Sequence, residues 1–346
     1  MSNNKKLQRG LNTDLFKKLQ ENDELIKLIK EKDHFMGIRN DYFNIYYKGL
    51  SLGKFYLANK QWKVEVSKKY LDKSNQDTNN STRKLMLSEY LKYYKTGQLH
   101  KKIEEYTKSE RVCQQRIINN NNADSKSNYF CVDMEYVMQR ENSQENNYGR
   151  FDIIAVAKKP NEKGEHEVSL IELKLGTGAM GGVSKKFRED YTGGHWSRLE
   201  EYEYSLGSGF LGHVANYIRY LQEPKRYNKL QTEIIDIINH FKGLGLMNEH
   251  CFEGLTAKKL AMQPEIIFLT YTGNEKKEEV IETAKRYLFK NVKDYSIYNV
   301  ETITGYDLRR ELSIAGQKYK FRFYFREGNG EVTQHILTEN DQDMFK

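Results

Sequence analysis

Cysteine is scarce: the 346 residues contain three, Cys113, Cys131 and Cys251. Their odd number and wide spacing rule out a disulfide framework and supply no CxxC metal-ligand pair. Such usage fits a reducing compartment, and the cytoplasm is the expected location. Long apolar runs are missing too, so neither a membrane span nor a membrane partner is expected. The opening stretch MSNNKKLQRGLNTDLFKKLQ lacks the apolar core of a secretory signal. No GxxxxGK[ST] phosphate loop, zinc-finger spacing or internal repeat occurs.

What is present is charge and tyrosine. Lys+Arg number 56 against 48 Asp+Glu, a net charge of +8 with a pI near 9.0. A modest basic excess permits a polyanionic partner without establishing one. The 25 tyrosines read mainly as half-buried packing, with some available to stack on bases or touch phosphates. The length suits one elaborated domain or two small ones, at roughly 150 residues per domain.

Along the chain, residues 11–34 read as a charged amphipathic helix, with Leu15, Leu19, Leu25, Ile26 and Ile29 at helical spacing. NIYYKG, LSLGKFYLA and QWKVEVSKKYL, within 42–71, read as an antiparallel meander turned at Lys48-Gly49 and Asn59-Lys60. DKSNQDTNNST (72–82) is a polar linker. Helical spacing returns over 83–118, broken near Gly97, and the asparagine-rich run 119–128 follows as a loop. Three strands are expected at 129–139, 150–157 and 167–175. Then come a helix within 197–222 ended by Pro224, a helix at 231–242, and a strand opened by Pro264. A further helix bearing Val280 and Ile281 and a strand at 318–325 complete the chain.

The stretch RFDIIAVAKKPNEKGEHEVSLIELKL (150–175) carries the chemistry. Asp152 heads one apolar strand, while Glu172 and Lys174 stand two apart on the next and share a face. If the strands pair as a hairpin, Asp152 approaches Glu172 across them. Paired carboxylates bind hard cations such as Mg²⁺ through oxygen and leave positions for water and phosphate. The bland alternative is a solvated Glu172–Lys174 pair with Asp152 capping a turn. Against it, both strands are strongly apolar at the intervening positions, as central strands are.

Asp152 followed twenty residues later by Glu172-Leu173-Lys174, within an α-β-β-β-α-β order, resembles the signature of the PD-(D/E)XK, or restriction-endonuclease-like, nuclease superfamily. At the level of element order the likeness spans roughly 83–272, and at the level of motif about 25 residues. Phe151 stands where the motif has proline. The resemblance implies an α/β (α+β) fold: an αβββαβ nuclease core at 83–275, an N-terminal helix and β-meander at 1–82, and a C-terminal α/β addition at 276–346. It implies Asp152, Glu172 and the Leu173 carbonyl as ligands of Mg²⁺ or Mn²⁺. Lys174 would orient the attacking water or stabilise the phosphorane. The expected partner is DNA, with RNA open, and a homo-oligomer or partner subunit is allowed.

A further acid is unassigned: Glu135 on the first strand is one option, and Glu89, Glu104, Glu105 and Glu110 are others. Lys185, Lys186 and Arg188, in the glycine-rich segment after Lys174, are candidates to grip a phosphate backbone, or else a solvated charge run. His195 and Trp196 could contact a base or simply pack. His213 and Tyr217, on the helix after the ExK strand, are substrate-contacting or site-supporting candidates by position. The rival function is a non-catalytic nucleic-acid-binding or assembly subunit, and a plain interaction protein is a third.

Overall fold

The computed structural model describes residues 9–71, 81–125, 127–139, 147–182, 207–276, 278–283, 298–304, 307–314 and 317–326. The chain is a mixture of helices and two sheets and divides into two compact units: 1–125 with 232–254, and 126–231 with 255–346. No helix among the described residues is long and apolar enough to cross a membrane.

The first unit opens with α1 (Thr13–Gln20) and α2 (Asp23–Ile29). The single helix expected over 11–34 is therefore divided. Asn12 Oδ1 accepts the Leu15 N–H at 2.9 Å and Asn22 Oδ1 the Leu25 N–H at 3.0 Å. Each asparagine satisfies backbone donors that a helix start leaves open, so two short helices form where the apolar spacing alone suggests one.

Five antiparallel strands follow in simple order: β1 (His34–Arg39), β2 (Tyr42–Tyr47), β3 (Leu50–Ala58), β4 (Gln61–Ser67) and β5 (Thr82–Met86). The meander over 42–71 is thus flanked by two strands that were not expected: β1, which meets the expected first helix only at His34, and β5, at the start of the second helical stretch. The hairpin turns fall at Lys48-Gly49 and Asn59-Lys60, where all four residues have positive φ, as tight primed turns require. At Gly49 a side chain is excluded twice over, by φ +76 and by the Arg111 carbonyl oxygen 2.3 Å from where its Cβ would stand. Phe43, Ile45, Phe55 and Val64 are fully buried on one sheet face. Helix α3 (Leu87–Lys95) sets the Tyr90 ring edge-on to Phe55 at 5.2 Å. Left-handed Gly97 separates α3 from α4 (Gln98–Tyr106), and α5 (Ser109–Asn120) follows. These helices belong to the first unit, so the stretch expected to open the nuclease core folds with the meander.

The second unit is built on a seven-stranded sheet. Its strands are β6 (Tyr129–Gln139), β7 (Asn147–Ala157), β8 (Val168–Leu175), β9 (Glu265–Tyr271), β10 (Tyr298–Thr304), β11 (Asp307–Ile314) and β12 (Gln317–Arg326). Their order is β10-β11-β12-β9-β8-β7-β6. β6, β7 and β8 run antiparallel, whereas β9 lies parallel to both β8 and β12. A parallel step needs a crossover connection, and α6 (Phe210–Leu221) lies in the one between β8 and β9. Every residue of β9 is buried, and β8 is buried up to Lys174, the pattern of strands covered on both faces. Pro224 follows α6, as expected, and also opens α7 (Pro224–Gly243), at the position where a missing N–H costs nothing.

Candidate active site

β7 and β8 are interior strands, and their pairing fixes the site. The register Ile153↔Ile171, Ile154↔Leu170 and Ala155↔Ser169, carried one step further, sets Asp152 opposite Glu172. The hairpin expectation holds at the backbone, and Asp152 Oδ2 accepts the Leu173 N–H at 2.8 Å. Glu172 and Lys174 are 2% and 4% exposed, which removes the solvated-pair alternative for them. Lys174 Nζ donates to Glu172 Oε1 at 2.6 Å.

Helix α6 completes the arrangement. His213 and Tyr217, four residues apart, project from one face. His213 Nε2 lies 3.0 Å from Glu172 Oε1, and the Tyr217 hydroxyl donates to Glu172 Oε2. Both candidates therefore act on the Glu172 carboxylate. Phe151, in place of the motif's proline, packs its ring 4.7 Å from Tyr217 and 5.2 Å from Tyr220. The packing of Phe151 was not foreseen; the signal for it was an aromatic beside the acid.

Electrostatics follow from burial. Burial first, then the Glu172 charge, push the Asp152 carboxyl well above its usual range, while Lys174 and the Leu173 N–H pull it down. Burial lowers His213 to about 4, so its ring is neutral near pH 7 and donates from Nε2 to the carboxylate. Burial and the Glu172 charge raise Tyr217, which keeps its proton and remains a donor. Glu172 is thus gripped by one cation and two neutral donors.

The remaining candidates separate. Glu135 on β6 falls in the row of Asp152, between the pairs Met134↔Ile153 and Tyr136↔Phe151, and its charge adds to the upward push on Asp152. Its backbone has φ 55, and its Oε2 accepts from Arg150 Nη1 at 2.5 Å. Glu89, Glu104, Glu105 and Glu110 lie in the first unit. There Glu89 pairs with Arg83, Glu104 with Lys48, and Glu105 with Lys102. Lys185, Lys186, Arg188, His195 and Trp196 lie outside the described residues.

The chemistry of the donor set fits a hard cation: two carboxylates and a backbone carbonyl, all oxygen. Glu172 Oε1 already receives two donors, but Oε2 receives one and keeps a lone pair. Among the described residues no group of three or more His, Cys, Asp or Glu side chains is arranged to hold a metal ion. No protein-family model, curated protein or solved structure matches this chain.

Proposed function

We propose that this protein is a metal-dependent nuclease of the restriction-endonuclease-like type, hydrolysing phosphodiester bonds of DNA. The observation that carries the reading is the convergence of half-buried Asp152 with buried Glu172 and Lys174 on two central strands, backed by α6. A charged cluster in such a place costs stability, and function is the usual reason to keep one.

Asp152, Glu172 and the Leu173 carbonyl would hold Mg²⁺ or Mn²⁺. When bound, the ion supplies neutralisation of phosphate charge and an activated water. Tyr217 and His213 hold the Glu172 carboxylate at a fixed angle, the support a ligand needs to keep its orientation. Lys174 presents its ammonium beside the carboxylates, where it orients the attacking water or stabilises charge building on the phosphorane. The ends left would be 5′-phosphate and 3′-hydroxyl.

One observation favours the rival, a non-catalytic nucleic-acid-binding or assembly subunit. Glu172 receives three protein donors, from Lys174, His213 and Tyr217, a network that also serves as structure. Cleavage separates the two: divalent-metal-dependent hydrolysis lost in Asp152→Asn supports the enzyme, and none with any nucleic acid supports the subunit.

A further inference from the structure

The five-stranded sheet of the first unit has one face buried under α3 and a second face of different chemistry. Cross-strand pairing defines two rows on it. Asn44, Lys54, Glu65 and Lys84 form one, through Asn44↔Lys54, Lys54↔Glu65 and Glu65↔Lys84. Tyr42, Tyr56 and Lys63 form the other: Tyr56 pairs with Lys63, and Phe43↔Phe55 carried one step sets Tyr42 beside Tyr56.

We propose that this face binds single-stranded nucleic acid, with bases stacking on Tyr42 and Tyr56 and phosphates held by Lys54, Lys63 and Lys84. Lys54 Nζ sits 4.4 Å from the centre of the Tyr42 ring and 5.6 Å from that of Tyr56, so one ammonium serves two rings. Both tyrosines are partly exposed and Lys84 is exposed. Ring and cation together present what a nucleotide offers partners for, a π-face and a phosphate. Charge complementarity points the same way: three lysines stand against Glu65. That acid is itself occupied, accepting from Thr82 Oγ1 at 2.8 Å and lying 4.0 Å from Lys54 Nζ. A pair at that distance with Lys54 40% exposed is worth little and yields readily to phosphate. Stacking on a sheet surface needs bases out of the duplex, which selects a single strand.

The surface is distinct from the Asp152 cluster, and its test does not depend on catalysis. The full chain is titrated in EDTA against fluorescein-labelled dT12, followed by anisotropy. Wild type is expected to bind in a salt-sensitive manner. Tyr42→Ala/Tyr56→Ala is expected to weaken binding by about tenfold or more, and Tyr42→Phe/Tyr56→Phe to bind as wild type does, because the ring and not the hydroxyl carries stacking. Lys54→Gln is expected to lower the salt slope by about 1. Should the alanine pair fail to fold, Lys54→Glu/Lys63→Glu carries the test and must abolish binding. A wild type that ignores dT12, including one that self-associates through this face instead, overturns the proposal. So does an alanine pair that folds and binds dT12 unchanged.

Discussion

Lys174 Nζ stands 2.6 Å from Glu172 Oε1, two residues back on the same strand face, with both side chains almost wholly buried. An ion pair in that setting behaves unlike one in water. Removing the cation alone leaves a buried carboxylate held only by neutral groups. Lys174→Ala is therefore expected to lose about 3–5 kcal/mol of stability in urea denaturation, and Glu172→Met/Lys174→Met to recover much of it. A loss below about 1 kcal/mol would mean that the pair is solvated.

Tyr217→Phe deletes only the hydroxyl that donates to Glu172 Oε2 and leaves the ring against Phe151. A hydrogen bond to a charged acceptor is worth about 1.5–3 kcal/mol, so that loss is expected in the same denaturation experiment. Under the proposed function turnover falls as well, with the circular dichroism spectrum unchanged. Full stability with full activity would show that the hydroxyl does not restrain Glu172.

Divalent cation should stabilise the folded chain through the two carboxylates. At about a hundred times its dissociation constant, a ligand bound only by the folded state adds about 2.7 kcal/mol. Mn²⁺ is expected to raise the melting temperature of wild type and to leave Asp152→Asn unmoved. An equal rise in both proteins would place the ion elsewhere.

The first unit carries its own pH dependence. His34 Nδ1 donates to the Leu28 carbonyl at 2.7 Å, which leaves its Nε2 to accept from His100 Nε2 at 3.3 Å. Burial lowers both pKa values, while Glu31 raises them; Asp33 also raises His34, and Glu104 also raises His100 against the pull of Lys48. Tyr47 and Tyr94 line the same cluster. The folded state thus disfavours the proton that the unfolded chain takes up near pH 6.5, so this stability is whole above that pH and lost as pH falls below it. Denaturation at about pH 7.5 and about pH 5.5 should show a drop on acidification that His100→Gln reduces. An unchanged drop would assign it to other groups.

The hairpin of β7 and β8 was legible because buried strands announce themselves as apolar runs, and two charges inside such a run stand out. Turns were legible where Lys48-Gly49 and Asn59-Lys60 demand positive φ. The opposite held for β1, whose HFMGIR carries no clean alternation, and for β5, whose Arg83 and Lys84 look like helix surface. Pro224 was legible as the stop after α6 but not as the start of α7, because proline suits both positions. The site's acids and lysine could be named from spacing, and His213 and Tyr217 as supporting candidates by position, but not which group these two hold. That His213 and Tyr217 both converge on Glu172 depends on how α6 lies across β7 and β8, a tertiary fact that no local pattern encodes. Glu135 shows the reverse case, an acid in the expected row whose left-handed backbone and Arg150 partner no strand pattern foretells.

The most direct test incubates wild type and Asp152→Asn with plasmid, linear duplex, single-stranded DNA and RNA, in Mg²⁺ or Mn²⁺ and in EDTA, and follows the products on denaturing gels. Expected is metal-dependent cutting of DNA to 5′-phosphate ends by wild type, and none by the variant. Cutting of every substrate equally by both proteins, or persisting in EDTA, would contradict the assignment of Asp152, Glu172 and Lys174 as the catalytic centre.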